Sequence, residues 1–296
     1  MKTLYSFVLS AGAVLGCAAG LSTSGAGGGY SAPMAPETAT TADQQKWDPK
    51  AVALVDQMVA ALGGEGAWNG VGEVQALAGF NDGPKRILSV KHLWDRATGR
   101  HRYDCERPGE PAFFVAHRVD NAAAGKAYVR RLGTQDSKTK WAGADEHEHL
   151  RQRALAGFRR ELFWLTAPYR LKASGAELRM QADQPGPDDR TYDILDASFS
   201  GADWRPSERL RIFVDKTTHL PAHVLMFDPG KDKARWGYTL EGWKQVGPVK
   251  VATMWKSLNG RETLTFANLA FEPRAVDNDL YMPWLNPTIP VTVNFP

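Results

Sequence analysis

Two pairs of histidines stand at intervals that suggest metal ligands. His147 and His149 lie in ADEHEHLRQR, residues 144–153, among Asp145, Glu146 and Glu148. If the stretch is helical, residues two apart sit about 200° apart around the axis, so the two imidazoles face opposite sides and cannot share an ion. Only an extended loop here would restore a site. Acidic residues in a first helical turn have a simpler cause, the positive end of the helix dipole. His219 and His223 in THLPAHVLMF are four apart, the interval of a helical zinc pair. Pro221 between them and the apolar run after them favour a strand, and no Glu stands where a zinc peptidase keeps its base. No metal and no other cofactor is expected.

Nucleophiles fare no better. There is no Gly-x-Ser-x-Gly elbow, phosphate loop or dinucleotide fingerprint. Ser198, Ser207 and Ser257 have no flanking pattern, and Asp188 with Asp189 sits in a Pro-Gly turn, where carboxylates are ordinarily solvated. Cys105, in RHRYDCER, has cations nearby that could lower its pKa; the other reading is a small buried hydrophobe. Asp215 with His219 is the remaining pair on which a hydrolase could be built. The expectation is a protein that is not an enzyme.

What stands out instead is aromatic. Ten tryptophans occur in 296 residues, and several share a strand face with aliphatic neighbours. Two readings stay open, a packed core or the wall of an apolar cavity inside a curved sheet. On the cavity reading the ligand-binding candidates are Leu88, Val90, Trp94, Trp164, Leu210, Ile212, Val224, Met226, Trp236, Tyr238 and Trp255.

The elements that must position these residues are legible as patterns. Asp48-Pro49 caps a helix with Val52, Val55, Met58, Val59 and Leu62 at helical intervals, stopped by Gly63-Gly64. Alternating runs follow from Gly70, separated by turn residues, and predict antiparallel hairpins. A second helix is expected over about Ala144–Thr166, ended by Pro168, with Leu150, Leu155, Phe158, Leu162 and Leu165 on its apolar stripe. Strands resume from AELRMQA to ETLTFANLAFEP. The four prolines of LYMPWLNPTIPVTVNFP predict an extended tail with little ladder pairing. About twelve strands and two helices make an α+β fold dominated by antiparallel sheet.

The chain opens with Met1-Lys2 and the uncharged run LYSFVLSAGAVL, which suits an export signal and is too short to span a membrane. Val14-Leu15-Gly16-Cys17 is similar to a bacterial lipobox, which predicts a lipidated Cys17 carrying a diacylglyceryl group and palmitate; ordinary cleavage near Ala19 is the alternative. A multiply acylated Cys17 would hold the protein on its membrane, and Ala18 after it is similar to the signature of lipoproteins sent to the outer membrane. The expected organisation is a signal peptide with lipidated Cys over 1–17, a flexible Gly/Ala/Ser/Pro-rich linker over 18–46, and one domain over 47–296 with its Pro-rich tail. A formal net charge of +3 asks for no nucleic acid. With Cys17 lipidated, Cys105 has no disulfide partner.

AVALVDQMVAALGGEGAW, FVDKTTHLPAHV with Asp215, Thr217, Leu220 and Pro221, and FWLTAPYRLK with Phe163, Trp164, Pro168 and Tyr169 resemble the LolA/LolB superfamily of outer-membrane lipoprotein-sorting proteins. The resemblance implies a strongly curved antiparallel β-sheet, an incomplete β-barrel, wrapped around two helices. It further implies an apolar cavity that takes a lipid or acyl chain, with a role in lipid or lipoprotein trafficking at the periplasmic face of the outer membrane. The competing expectation is a filled core and an interaction or sensor module that binds another envelope protein.

Overall fold

Asp48 begins the first element. Its extended backbone (φ −66°, ψ 124°) and its carboxylate, which accepts from Lys50 N–H, cap helix α1, Pro49–Ala61, with Pro49 in the first turn. Ala51, Leu54, Val55, Met58 and Val59 form its buried face. Gly63 and Gly64 then take φ of 113° and 88°. A side chain on Gly63 would come within 2.5 Å of the Pro248 carbonyl oxygen, so the position admits only glycine. The pair redirects the chain into a short helix α2, Gly64–Asn69, where the sequence predicted a stop.

In this computed structural model the described residues are 47–110, 112–119, 126–130, 140–141, 144–172, 176–199, 209–228, 230–274 and Tyr281. The export signal, Cys17, the linker over 18–46 and, apart from Tyr281, the Pro-rich tail lie outside them. Among the described residues no helix is long and apolar enough to cross a membrane.

Strands β1 (Glu73–Asp82), β2 (Lys85–Asp95), β3 (Arg100–Glu106), β4 (Ala112–Arg118), β5 (Lys126–Arg130) and β6 (Lys140–Trp141) form one run of hairpins. The second run is β7 (Ala176–Pro185), β8 (Thr191–Phe199), β9 (Arg209–Val214), β10 (Pro221–Phe227), β11 (Ala234–Val246), β12 (Val249–Ser257) and β13 (Glu262–Glu272). They join in one 13-stranded sheet, ordered β6-β5-β4-β3-β2-β1-β13-β12-β11-β10-β9-β8-β7. The two runs meet where β1 pairs antiparallel with β13, Glu73 opposite Glu272 and Asp82 opposite Glu262.

Laid flat at ~4.8 Å per strand, such a sheet would be about 58 Å wide. Yet one continuous core contains Phe113 and Val115 of β4, Val224 of β10, Leu178 of β7, and residues of every helix. The sheet must therefore curl around the helices. It does not close, because β6 and β7 are not partners. The incomplete β-barrel expected from the sequence is the fold.

The second helical region departs from expectation. It comprises α3 (Ala144–Gly157), a π-helical turn (Phe158–Leu162) and α4 (Phe163–Arg170), with Pro168 inside α4 rather than beyond its end. The π-turn carries an extra residue that rotates the following helix. The Thr166 hydroxyl donates to Leu162 O at 2.9 Å and steadies the passage.

Edge strand β7 is partly covered. Asp48 N–H donates to Leu178 O at 2.9 Å, Met180 N–H donates to the Asp48 carboxylate at 3.2 Å, and the Trp47 indole donates to Ala176 O at 3.0 Å. The residues that start α1 thus also occupy a margin that would otherwise offer free hydrogen-bonding groups.

Candidate functional site: an apolar slot and a buried histidine chain

The concave face of β9–β12 and the inner face of α4 enclose an apolar slot. Leu210 and Ile212 of β9, Val224 of β10, Leu240 and Trp243 of β11, and Val251, Ala252 and Trp255 of β12 form one wall; Phe163, Leu165, Ala167 and Pro168 form the other. Leu62 and Pro221 close its sides, and Lys250 is its one ionisable lining residue. Pro168, Trp243 and Lys250 are half-buried, so the slot meets solvent at that end. The space left is about 30 Å³, room for one or two waters and far short of an alkyl chain.

Four of the residues singled out from the sequence, Leu210, Ile212, Val224 and Trp255, are together in this lining. Met226 is buried in the adjoining core, and Tyr238 packs against that core with its ring edge to Trp255, centroids 6.3 Å apart. Leu88, Val90 and Trp94 belong to β2, on the other half of the sheet, where Trp94 meets Phe158 edge-on at 5.1 Å. Trp236 is 41 % exposed, under the Arg235 guanidinium at 4.1 Å, and is not part of the slot lining. The Trp164 side chain lies outside the described residues.

Below the other half of the sheet runs a chain of polar groups that sequence reasoning missed. Glu161 Oε2 lies 3.0 Å from His92 Nε2, His92 Nδ1 lies 3.1 Å from His101 Nε2, and His101 Nδ1 lies 2.8 Å from His117 Nε2. Glu161, His92 and His101 are fully buried, and His117 is 5 % exposed. Three adjacent strands supply the imidazoles and the π-turn supplies the carboxylate.

Burial, the largest influence on Glu161, raises its pKa, but the His92 hydrogen bond and the Arg160 charge outweigh it and hold the carboxyl below its usual value. An ionised Glu161 can only accept, so His92 donates from Nε2, and with all three imidazoles neutral each histidine donates from Nε2 and accepts at Nδ1. All three bonds then point the same way, from His117 towards Glu161. The chain ends at His117 Nδ1, which is buried and has no hydrogen-bond partner among the described residues. Burial and then the nearby Arg151 charge lower His117 to about 4; burial, then the other two histidines, push His101 well below its usual value. Imidazoles 3.1 and 2.8 Å apart are hydrogen-bonded to each other and leave no place for an ion with bonds of about 2 Å to each. Among the described residues no group of three or more His, Cys, Asp and Glu is arranged to hold a metal.

The signal was present as parity. His92 shares its strand face with Leu88, Val90 and Trp94, His101 with Tyr103 and Cys105, and His117 with Phe113 and Val115. The histidines weighed for metal are elsewhere. His147 and His149 lie on helix α3, half-buried and exposed respectively. His219 sits in a turn at φ 54°, whereas His223 is within β10. His223 Nδ1 is 3.0 Å from the Thr239 hydroxyl and its Nε2 is 3.3 Å from the Tyr192 hydroxyl, in a small separate core of Tyr192, Ile194 and Phe213. Asp215 accepts from Thr217 and Thr218 N–H and pairs with Arg190, so it shapes its turn and does not meet His219 as a base.

No family model and no curated protein matches the chain. Solved structures do. One is an outer membrane lipoprotein-sorting protein domain from Vibrio parahaemolyticus, 12 % identical over 80 % of this chain and 98 % of that one, with a TM-score of 0.44. A DUF1329 family protein from Desulfovibrio piger is 12 % identical over 78 % of this chain and 96 % of its own, also at 0.44. A LolA superfamily protein from Nitrosomonas europaea is 9 % identical over 78 % and 96 %, at 0.38.

Proposed function

We propose that the protein is a non-catalytic, membrane-tethered envelope protein that binds a lipid or acyl chain non-covalently in the slot between α4 and β9–β12. The observation that carries this reading is the lining: apolar side chains from four strands and a helix, opening to solvent at one end beside a single lysine. Each methylene transferred from water to such a wall contributes about 0.8 kcal/mol, so a chain of a dozen carbons would bind usefully after ordering costs. Entry requires α4 to move, because the slot is shut at about 30 Å³. That helix is only eight residues long, follows a π-turn and contains a proline, so it is the wall least supported by continuous backbone hydrogen bonding. The lipobox-like Val14–Cys17 supports a lipid anchor at the periplasmic face of the outer membrane, with residues 18–46 as the tether and 47–296 as one domain.

Mass spectrometry of an organic extract from natively purified protein, together with titration of a fluorescent fatty acid, tests the proposal. A co-purifying lipid and saturable binding that Leu240→Trp abolishes in a folded protein are expected. Absence of both would remove the reading. The small volume of the slot favours a second one, an interaction module with a filled interior, and the same negative result together with a co-purifying envelope protein would support it.

A further inference from the structure

Among the fifteen residues around the slot Lys250 is the only one with a charge, and no carboxylate is among them. Lys250 and Ala252 stand opposite Gln245 and Trp243, so Lys250 shares the face of Trp243 while Val251 and Trp255 alternate to the other, and residues of both sets line the slot. The Lys250 backbone N–H is spent on Leu62 O at 2.9 Å, which pins β12 to the end of α1 and sets the lysine at the mouth. Lys172, just after α4, is by contrast neutralised by Asp56 and Glu65 at 2.6 and 3.0 Å. No ion pair of Lys250 occurs among the described residues, and the residue is half-buried in the slot lining.

We infer that the occupant is a single-chain amphiphile with a singly charged anionic head, a fatty-acid carboxylate, whose head is held at the mouth by Lys250 while its chain runs inward past Trp243 and Leu240 towards Ile212 and Trp255. This rests on the slot reading and adds the class of ligand. With about 30 Å³ open while α4 is in place, every chain admitted needs further displacement of that helix, and a single chain needs the least. A lone ammonium matches one negative charge; a phosphate monoester, with a charge of about −1.5 to −2, would be left partly uncompensated beside an apolar wall. Lysine holds an anion as a point charge, without the forked geometry that makes arginine selective for phosphate, so a single charge and not a particular oxygen arrangement is what it reads. From Lys250 to Trp255 the strand covers ~17 Å, which sets the depth available to the chain.

The test uses two probes with the same polyene chain, cis-parinaric acid and its methyl ester, titrated into the full-length protein at low and high salt. The acid is expected to bind about threefold to tenfold more tightly than the ester at low salt, with the difference shrinking at high salt. Lys250→Gln should abolish the preference and Lys250→Glu reverse it, while Lys244→Gln, an exposed lysine outside the slot lining, should leave it intact. Equal binding of acid and ester, or a preference that survives Lys250→Gln, overturns the head-group assignment and leaves the slot standing. Failure of both probes to bind the unaltered protein overturns the slot reading and this inference with it.

Discussion

The Cys105 thiol is 2 % exposed, and burial pushes it up from 9.0 to about 11 despite the charge of Arg153 nearby. Of the two readings of this cysteine, the small buried hydrophobe is the one found: cations are close in sequence, but desolvation is the larger effect here. Two pKa units mean about a hundredfold less thiolate, so the native protein should react with a disulfide reagent at pH 8 at least that much more slowly than the urea-unfolded chain. Equal rates would show an accessible thiol. His117 makes the opposite bargain with protons. Unfolded, it takes one up below about 6.5; folded, it does not until about 4. Between those values the unfolded state holds the extra proton, so stability falls as pH drops through the window, by about 3 kcal/mol for the full interval. Urea unfolding at pH 7 and pH 4.5 should show the loss, and His117→Leu should lessen it, the remainder coming from buried His101; a stability independent of pH in this range would contradict the burial argument. These residues were readable by strand parity, which puts each histidine on the apolar face of its own run. Searching for histidines near one another in sequence looks past them, because the sheet, and not the local chain, brings them together.

Among the elements, helix α3 ends on Gly157 at φ −61°, an ordinary helical angle at which alanine would be preferred by about 1 kcal/mol. A methyl group there would lie 2.5 to 2.8 Å from the ring of Tyr103, a side chain 1 % exposed on β3. Overpacking a buried contact costs about 1–3 kcal/mol, so the clash outweighs the propensity. Gly157→Ala should lower the urea midpoint, and a stabilised variant would show that Tyr103 can shift freely. The helix itself was legible from its apolar stripe, but the π-turn was not. Glu161 falls on that stripe between Phe158 and Leu165, and its place is explained by the buried imidazole that receives it, a partner sixty-nine residues away. Nor did the sequence show that α4 runs on through Pro168, which ordinarily ends a helix and here lies inside one, against the slot.

At the scale of the molecule, the hairpins follow from turn residues, and so most of the sheet order could be read in advance. The joint between β1 and β13 could not, because no turn connects strands at opposite ends of the chain. The same joint region holds Glu73, fully buried, whose carboxylate accepts from the Tyr281 hydroxyl at 2.7 Å. Arg100 stacks over the Tyr281 ring at 4.9 Å. Tyr281→Phe should cost about 1–3 kcal/mol, because it takes a hydrogen bond from a buried charge. Chemical denaturation reads this directly, and no change would mean that the tyrosine is replaceable by solvent.

The clamp of Trp47 and Asp48 on β7 has a mechanical meaning. Tension on the polypeptide ahead of Trp47 is delivered to the sheet margin at Ala176–Met180 through three hydrogen bonds, and not to α1 alone. In a stretching experiment from the N-terminus the first yield should be rupture of this clamp, at a force that Asp48→Ala lowers, with the rest of the sheet still intact.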